Sequence, residues 1–117
     1  MAQHNETGFE GENLAVSWLK QNGFEMKERN WRYRHWEVDI IAVKGDTLHF
    51  IEVKTRRSTA YGNPEESITR KKMDNLKGAA EQYQFLHPGW KWIQFDVLAI
   101  LIKPDETEYW FNADVYF

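Results

Sequence analysis

Trp36-Glu37-Val38-Asp39-Ile40-Ile41-Ala42-Val43-Lys44 and Thr47-Leu48-His49-Phe50-Ile51-Glu52-Val53-Lys54-Thr55, joined by Gly45-Asp46, decide how this chain folds. Both runs are rich in the branched and aromatic residues that suit a pleated strand. Glycine at the first central position suits a two-residue type II′ hairpin loop. Counting outward from that turn sets the register. Lys44 falls opposite Thr47, Val43 opposite Leu48, Ile41 opposite Phe50, Asp39 opposite Glu52, and Glu37 opposite Lys54. Strict alternation places Val43, Ile41, Asp39, Glu37, Leu48, Phe50, Glu52 and Lys54 on one face. Trp36, Val38, Ile40, Ala42, His49, Ile51, Val53 and Thr55 take the other. Both faces are largely apolar, so the hairpin is expected at the centre of a sheet covered on two sides.

The flanking segments supply the covers. Thr7 to Asn22 reads as a helix stopped by Gly23, with Phe9, Val16 and Leu19 on one stripe and Ala15 beside it. Glu12 sits on that stripe, where a carboxylate is unexpected. Phe24 to Trp31 reads as a strand, and Arg57 to Asn63 as a loop. Asn63-Pro64-Glu65-Glu66 is a helix start: a capping residue, proline at the first position, then acids at the positive end of the dipole. This second helix is expected to reach about Leu86, before His87-Pro88-Gly89. Its apolar stripe is Ile68, Leu76, Ala79 and Tyr83, with Lys72 lying on it. Trp90 to Ile102 reads as a buried strand, Lys103 to Glu106 as a turn, and Thr107 to Phe117 as a last strand. The expected order is αβββαββ.

The 117 residues make one domain, residues 1–117, and 42% hydrophobic composition is enough for a core of that size. There is no cysteine, which excludes a disulfide scaffold, a thiolate zinc site and a thiol nucleophile. The N-terminal residues lack the pattern of a signal peptide, and the longest apolar stretch, Val97 to Ile102, is too short to span a bilayer. A cytoplasmic protein without a membrane partner is expected. The net charge of −3 argues against a general nucleic-acid binder. The charge is unevenly placed, however. Between Lys54 and Lys77 stand seven basic residues and three acidic ones, a local +4, so the remainder carries −7. Arg56, Arg57, Arg70, Lys71 and Lys72 in that segment are candidate nucleic-acid contacts.

Asp39, Glu52 and Lys54 fall near one end of the hairpin face. Two facing carboxylates repel across a ladder, and burying them costs several kcal/mol or forces a proton onto one. A divalent cation removes that conflict, and the oxygen donors suit Mg²⁺ or Mn²⁺. Lys54 beside them is placed to stabilise a developing phosphate charge or to position an attacking water. The competing interpretation is a rim salt bridge between Glu52 and Lys54, with Asp39 solvated at a strand end. The four histidines are dispersed, with no spacing for a metal site, and there is no Gly-rich phosphate loop.

These residues resemble a known family. Asp39 followed by Glu52-Val53-Lys54 on the next strand is similar to the signature of the PD-(D/E)xK nuclease superfamily. The closer likeness is to the bacterial YraN-like family, grouped with Holliday-junction-resolvase-like nucleases. It is carried by Gly11-Glu12, Asn30-Trp31-Arg32, Glu37 to Ala42, Phe50 to Arg56, Tyr61-Gly62, Lys72 and Phe95-Asp96-Val97. The resemblance implies an α/β fold with a restriction-endonuclease-like αβββαβ core, a central mixed sheet flanked by helices. It implies that Asp39 and Glu52 ligate the metal, that Lys54 is the catalytic lysine, and that Glu12 approaches the metal from the first helix. Glu12 as a snorkelling or capping residue, and Lys72 as a stem laid along the core edge, stand beside those roles. Two departures are notable. Trp36 stands where the family usually has glycine, and Gln94 where arginine often precedes Phe-Asp. The bulk of Trp36 is expected to narrow a substrate groove.

The function implied is a Mg²⁺- or Mn²⁺-dependent endonuclease on DNA, with branched DNA among the candidate substrates and a homodimer suited to a two-fold symmetric junction. A non-catalytic nucleic-acid-binding module, or a protein-interaction domain using the aromatic C-terminus, are the alternatives. Trp90, Trp92, Tyr109, Trp110, Tyr116 and Phe117 are candidates to stack bases. At strand spacing such residues are more often core or interface.

Overall fold

The computed structural model describes residues 6–57 and 70–115. Helix α1 (Glu6–Gln21) is followed by β1 (Glu25–Tyr33), β2 (Trp36–Lys44), β3 (Thr47–Arg56), α2 (Arg70–Leu86), β4 (Trp92–Ile102) and β5 (Thr107–Asn112). The five strands form one sheet in sequence order. All neighbours are antiparallel except β3 and β4, which run parallel. A parallel neighbour requires a crossover, and α2 lies within it. The result is the expected α/β arrangement, a mixed sheet with one helix on each face. The proposed start of the second helix at Asn63–Glu66 lies outside the described residues, as do Ile68, Tyr61, Gly62, Tyr116 and Phe117.

Each helix covers the sheet with its own apolar stripe. Ala15 and Leu19 of α1 pack on Ile40, Ala42, Ile51, Leu98 and Ile100. Met73, Leu76, Ala79, Ala80 and Tyr83 of α2 pack on Val38, Ile41, Leu48, Phe50 and Phe95. The neighbours Ile40 and Ile41 thus serve opposite cores, as do Phe50 and Ile51, so the hairpin is central and buried on both faces. Phe9, expected on the buried stripe of α1, is instead 61% exposed. Only the later part of that helix lies over apolar sheet positions. Gly23 takes φ +91° after the last turn, and the Phe24 N–H donates to the Leu19 carbonyl at 3.0 Å, closing the helix end.

The hairpin turn has Gly45 at φ +63°, a region open to glycine, while Asp46 is not among the positive-φ residues. That is the sign pattern of a type II′ turn. The register follows the expected one from Lys44/Thr47 to Ile40/Ile51 and ends there. The further pairs Asp39/Glu52 and Glu37/Lys54 are not in the ladder. Asp39 turns its side chain onto the neighbouring backbone, and the Val53 N–H donates to Asp39 Oδ2 at 2.8 Å.

The same place changes the alternation. Val38 and Trp36 pack in the α2 core with Ile41, not with Ile40 and Ala42 on the α1 side. Strict alternation would have put residues 38 and 41 on opposite faces. The strand therefore turns over by one step around Asp39. On β1, Asn30 sits between the Arg29/Ile40 and Trp31/Val38 pairs with φ +54°, a left-handed conformation that asparagine tolerates better than most residues. The irregularity spans two strands and frees the Asp39 carboxylate from its regular direction.

Trp92 and Trp110, expected as core or interface, are 57% and 36% exposed. The buried part of β4 is Phe95 to Ile102, and the last strand ends at Asn112. No helix among the described residues is long and apolar enough to cross a membrane.

Candidate metal and phosphodiester site

Beyond Ile40/Ile51 the strands β2 and β3 part, and their charged residues meet α2. Asp39 is held by the Val53 N–H, with Glu52 beside it. Its carboxyl is pushed up to about 7 from 3.8. Burial is the largest cause, followed by the Glu52 charge, with Glu37 and Glu12 adding to it; the Val53 hydrogen bond pulls the other way. This is the conflict of two neighbouring carboxylates expected from the sequence.

Two lysines converge on the second carboxylate. Lys54 Nζ lies 3.4 Å and Lys72 Nζ 3.2 Å from Glu52 Oε2. Lys54 is largely buried and lies next to Lys72, with which it shares a hydrogen bond. Burial lowers the Lys54 pKa first, then Lys72, while Glu52 resists. Lys72 is raised: burial opposes the shift, but the bond to Lys54 and the Glu52 carboxylate prevail. The proposed resting place of Lys72 along the core edge gives way to a direct contact with the acidic centre.

Glu12 reaches toward the same region from the opposite face. Gly11 makes this approach close: a Cβ there would lie 2.7 Å from Thr55 Cγ2 at the end of β3. The Glu12 Oε1 atom accepts from Asn30 Nδ2 at 2.9 Å and from Arg29 Nε at 3.2 Å. Glu12 therefore faces the irregular step in β1 rather than solvent. Among the described residues, no group of three His, Asp or Glu side chains is close enough to hold a metal ion. Asp39, Glu52, Lys54 and Lys72 come together; the Glu12 carboxylate is tied to β1.

The other basic candidates are spread along the flank. Arg56 Nη1 donates to the Thr55 carbonyl at 3.1 Å, and Arg57 pairs with Glu10 of α1. Arg70 and Lys71 are exposed on the first turn of α2.

Phe95-Asp96-Val97, noted in the sequence for its likeness to a family motif, belongs to a different centre. Asp96 is fully buried, and its Oδ2 lies 2.7 Å from His49 Nδ1. Its Oδ1 accepts from Gln94 Nε2 at 2.8 Å and from the Asp114 N–H at 2.9 Å. The Phe24 ring stands edge-on to His49 at 5.0 Å. Asp96 thus joins β3, β4 and the segment after β5. Gln94, where an arginine was the commoner residue, is part of this network. Asp96→Ala leaves the buried His49 and two part-buried N–H donors without their acceptor and is expected to cost about 3 kcal/mol. The midpoint of urea unfolding reads that loss directly; a change below about 1 kcal/mol would deny the network its structural role.

Comparison with known proteins identifies relatives of this chain. Residues 11–100 match the model of the family described as "Uncharacterised protein family UPF0102". The chain belongs to the UPF0102 family, the YraN-like group that its motifs resembled. A UPF0102 protein of Syntrophomonas wolfei is 42% identical over 106 residues, covering 90% of this chain and 92% of that one. A Bacteroides thetaiotaomicron relative is 40% identical over 101 residues, covering 86% and 84%. One from Rhodococcus jostii is 44% identical over 103 residues, covering 87% of each. The matched stretch of this UPF0102 chain contains Glu12, Asp39, Glu52, Lys54, Lys72 and Asp96.

Two features of the region were not foreseen. Trp31, Tyr33 and Trp36 form a stacked series beside α2, with centroids 6.3 and 6.4 Å apart. A cavity of about 490 Å³ opens between His35, Trp36 and α2. The only sequence signal for either was the aromatic run Trp31-Arg32-Tyr33-Arg34-His35-Trp36.

Proposed function

We propose that this chain is a metal-dependent endonuclease that hydrolyses phosphodiesters in DNA. The single observation that carries the reading is the meeting of Lys54 and Lys72 on Glu52, one residue from the Val53 N–H that holds Asp39. The donor set fits a hard divalent cation. Asp39 has its charge opposed by burial and by Glu52, so a cation would restore the charged form. Asp39 and Glu52 would hold Mg²⁺ or Mn²⁺, with Glu12 joining only by leaving Arg29 and Asn30. The cation would supply Lewis-acid polarisation of the phosphoryl oxygens.

The residues of the chain account for the rest. The Val53 N–H fixes Asp39 and keeps one oxygen directed along the backbone. Glu52 holds the two lysines in place. Lys72, which keeps its proton, donates to a phosphate oxygen and stabilises the charge that develops there. Lys54, held against Glu52 on the sheet side, positions the attacking water. Arg70 and Lys71 extend the positive flank along which a phosphate backbone would lie. Branched DNA is the favoured substrate class, and a second copy of the chain would place two such centres on a symmetric junction.

Purified protein is expected to cut at least one of four-way, flapped or linear DNA in Mg²⁺ or Mn²⁺, and Glu52→Gln to lose this activity by about a thousandfold. Gel analysis of end-labelled substrates measures both. Cutting by Glu52→Gln at the wild-type rate would contradict the proposal. A second reading has its own observation. Because two lysines already neutralise Glu52, the site would also suit a module that binds DNA without cutting it. Tight, salt-dependent binding in EDTA that survives Asp39→Ala, with no cutting of any substrate, would favour that module.

A further inference from the structure

The cavity between the β1–β2 turn and α2 lies next to the acidic centre and shares Lys72 with it. Its walls are His35 and Trp36 on one side, and Lys71, Lys72, Asp74 and Asn75 on the other. The volume of about 490 Å³ is within the range of small-molecule sites. Trp36 is fixed by its surroundings. The pyrrole edge of its indole approaches α2 so closely that a Cβ on Gly78 would come within 2.8 Å of indole Cε2. On the strand side, Tyr33 stacks on it with a 15° interplanar angle. His35 is exposed, 4.8 Å from the indole and tilted by 41°. Arg34 extends the aromatic series, with Cζ 5.5 Å from the Tyr33 centroid.

We propose that this pocket takes one unpaired nucleotide of a DNA strand, its base against the exposed ring of His35, which rests on Trp36, and its phosphate toward Lys71 and Lys72. The proposal rests on the nucleic-acid reading of the acidic centre and names the form of substrate that centre receives. Three observations point the same way. Aromatic and imidazole rings offer a π-face to a base, and in a duplex both faces of a base are already stacked on neighbours. Asp74 and Asn75 offer acceptors to exocyclic amines, and an asparagine can pair with an adenine edge. Asp74 would repel a phosphate, which leaves the lysine side of the pocket for the backbone. Finally, Lys72 lines the pocket and also touches Glu52 at 3.2 Å. A nucleotide seated there has its backbone beside Asp39 and Glu52. Trp36 therefore does more than narrow a groove: it backs the His35 ring that receives a base which has left the stack, as at a flap, a junction or an end.

The test is binding without cutting. Short fluorescein-labelled single strands of dA, dC or dT, and a matched blunt duplex, are titrated by anisotropy in EDTA. The wild type is expected to bind dA or dC strands about tenfold tighter than the duplex, with dT the weakest strand. Trp36→Leu and His35→Ala are each expected to abolish that preference by weakening strand binding about tenfold, with duplex binding unchanged. His35 is exposed, so its variant keeps the test valid if Trp36→Leu fails to fold. Equal affinity for strand and duplex, or equal weakening of both in the variants, would overturn the pocket while leaving DNA binding intact. Full displacement of the strand by millimolar dAMP would assign the pocket to a free nucleotide and overturn the strand assignment. Absence of binding to any DNA would overturn the nucleic-acid reading itself.

Discussion

Asp39→Asn is expected to make the folded chain more stable near pH 8 by about 2 kcal/mol, in the absence of divalent metal, while removing its cleavage activity. The sign follows from the raised pKa. Asp39 titrates at about 7 in the folded chain, against 3.8 for the ordinary carboxyl. Between those values the folded protein holds a proton that the unfolded chain has released, so this group's contribution to stability falls as pH rises from about 4 to about 7. Above 7 the folded state bears the full cost of a carboxylate deprived of water and set beside Glu52. Asparagine removes the charge and still offers a carbonyl oxygen to the Val53 N–H, so the hydrogen bond at the strand irregularity is kept. Urea unfolding in EDTA at about pH 4.5 and about pH 8 should show the variant's advantage at the higher pH only. A variant less stable than wild type near pH 8 would mean that Asp39 serves the fold rather than the site.

The second large effect separates the two lysines. Lys54→Arg is expected to slow cleavage by about a hundredfold or more, although it keeps the positive charge. The planar guanidinium is bulkier than an ammonium and cannot take the largely buried place of Lys54 without displacing its neighbours. Lys72→Arg, by contrast, keeps a donor for the phosphate and is expected to lose about tenfold or less. The asymmetry follows from burial: the Lys54 side chain is 12% exposed, that of Lys72 45%. Single-turnover rates over a pH series measure both variants. Wild-type rates in Lys54→Arg would reduce Lys54 to a counter-charge for Glu52.

Much of the fold was legible because local signals agreed with one another. Gly45-Asp46 gave a turn, the turn set a register, and the double apolar pattern placed the hairpin at the centre; the pairs from Lys44/Thr47 to Ile40/Ile51 follow that count. Gly23 ended α1 by its left-handed backbone. The step at Asp39 was not legible, since alternation assumes a regular pleat. It depends on Asn30, which lies on another strand, and on a side-chain bond to the Val53 backbone. Asp39 and Glu52 are not the ladder partners that the count gave, but the Glu52 charge still acts on Asp39. Lys72 could be placed on a helix face from the sequence, but its contact with Glu52 depends on how the crossover seats α2 on the sheet.

Long-range partners explain the remaining differences. Glu12 was marked by its position on an apolar stripe, yet its partners Arg29 and Asn30 come from β1. His49 and Asp96 carry no shared local pattern; they meet because β3 and β4 are parallel neighbours across a crossover. Trp36 appeared as bulk at a glycine position. Its role as a pocket wall depends on Gly78, more than forty residues later, which lets the indole approach the helix.

The central claim is that Asp39 and Glu52 form a divalent-cation site. Calorimetric titration of Mn²⁺ into the metal-free protein near pH 8 tests it most directly. One Mn²⁺ per chain, with proton release where Asp39 is still partly protonated, and no binding by Asp39→Asn, is the expected result. Equal Mn²⁺ binding by wild type and Asp39→Asn, or none by either, would contradict it.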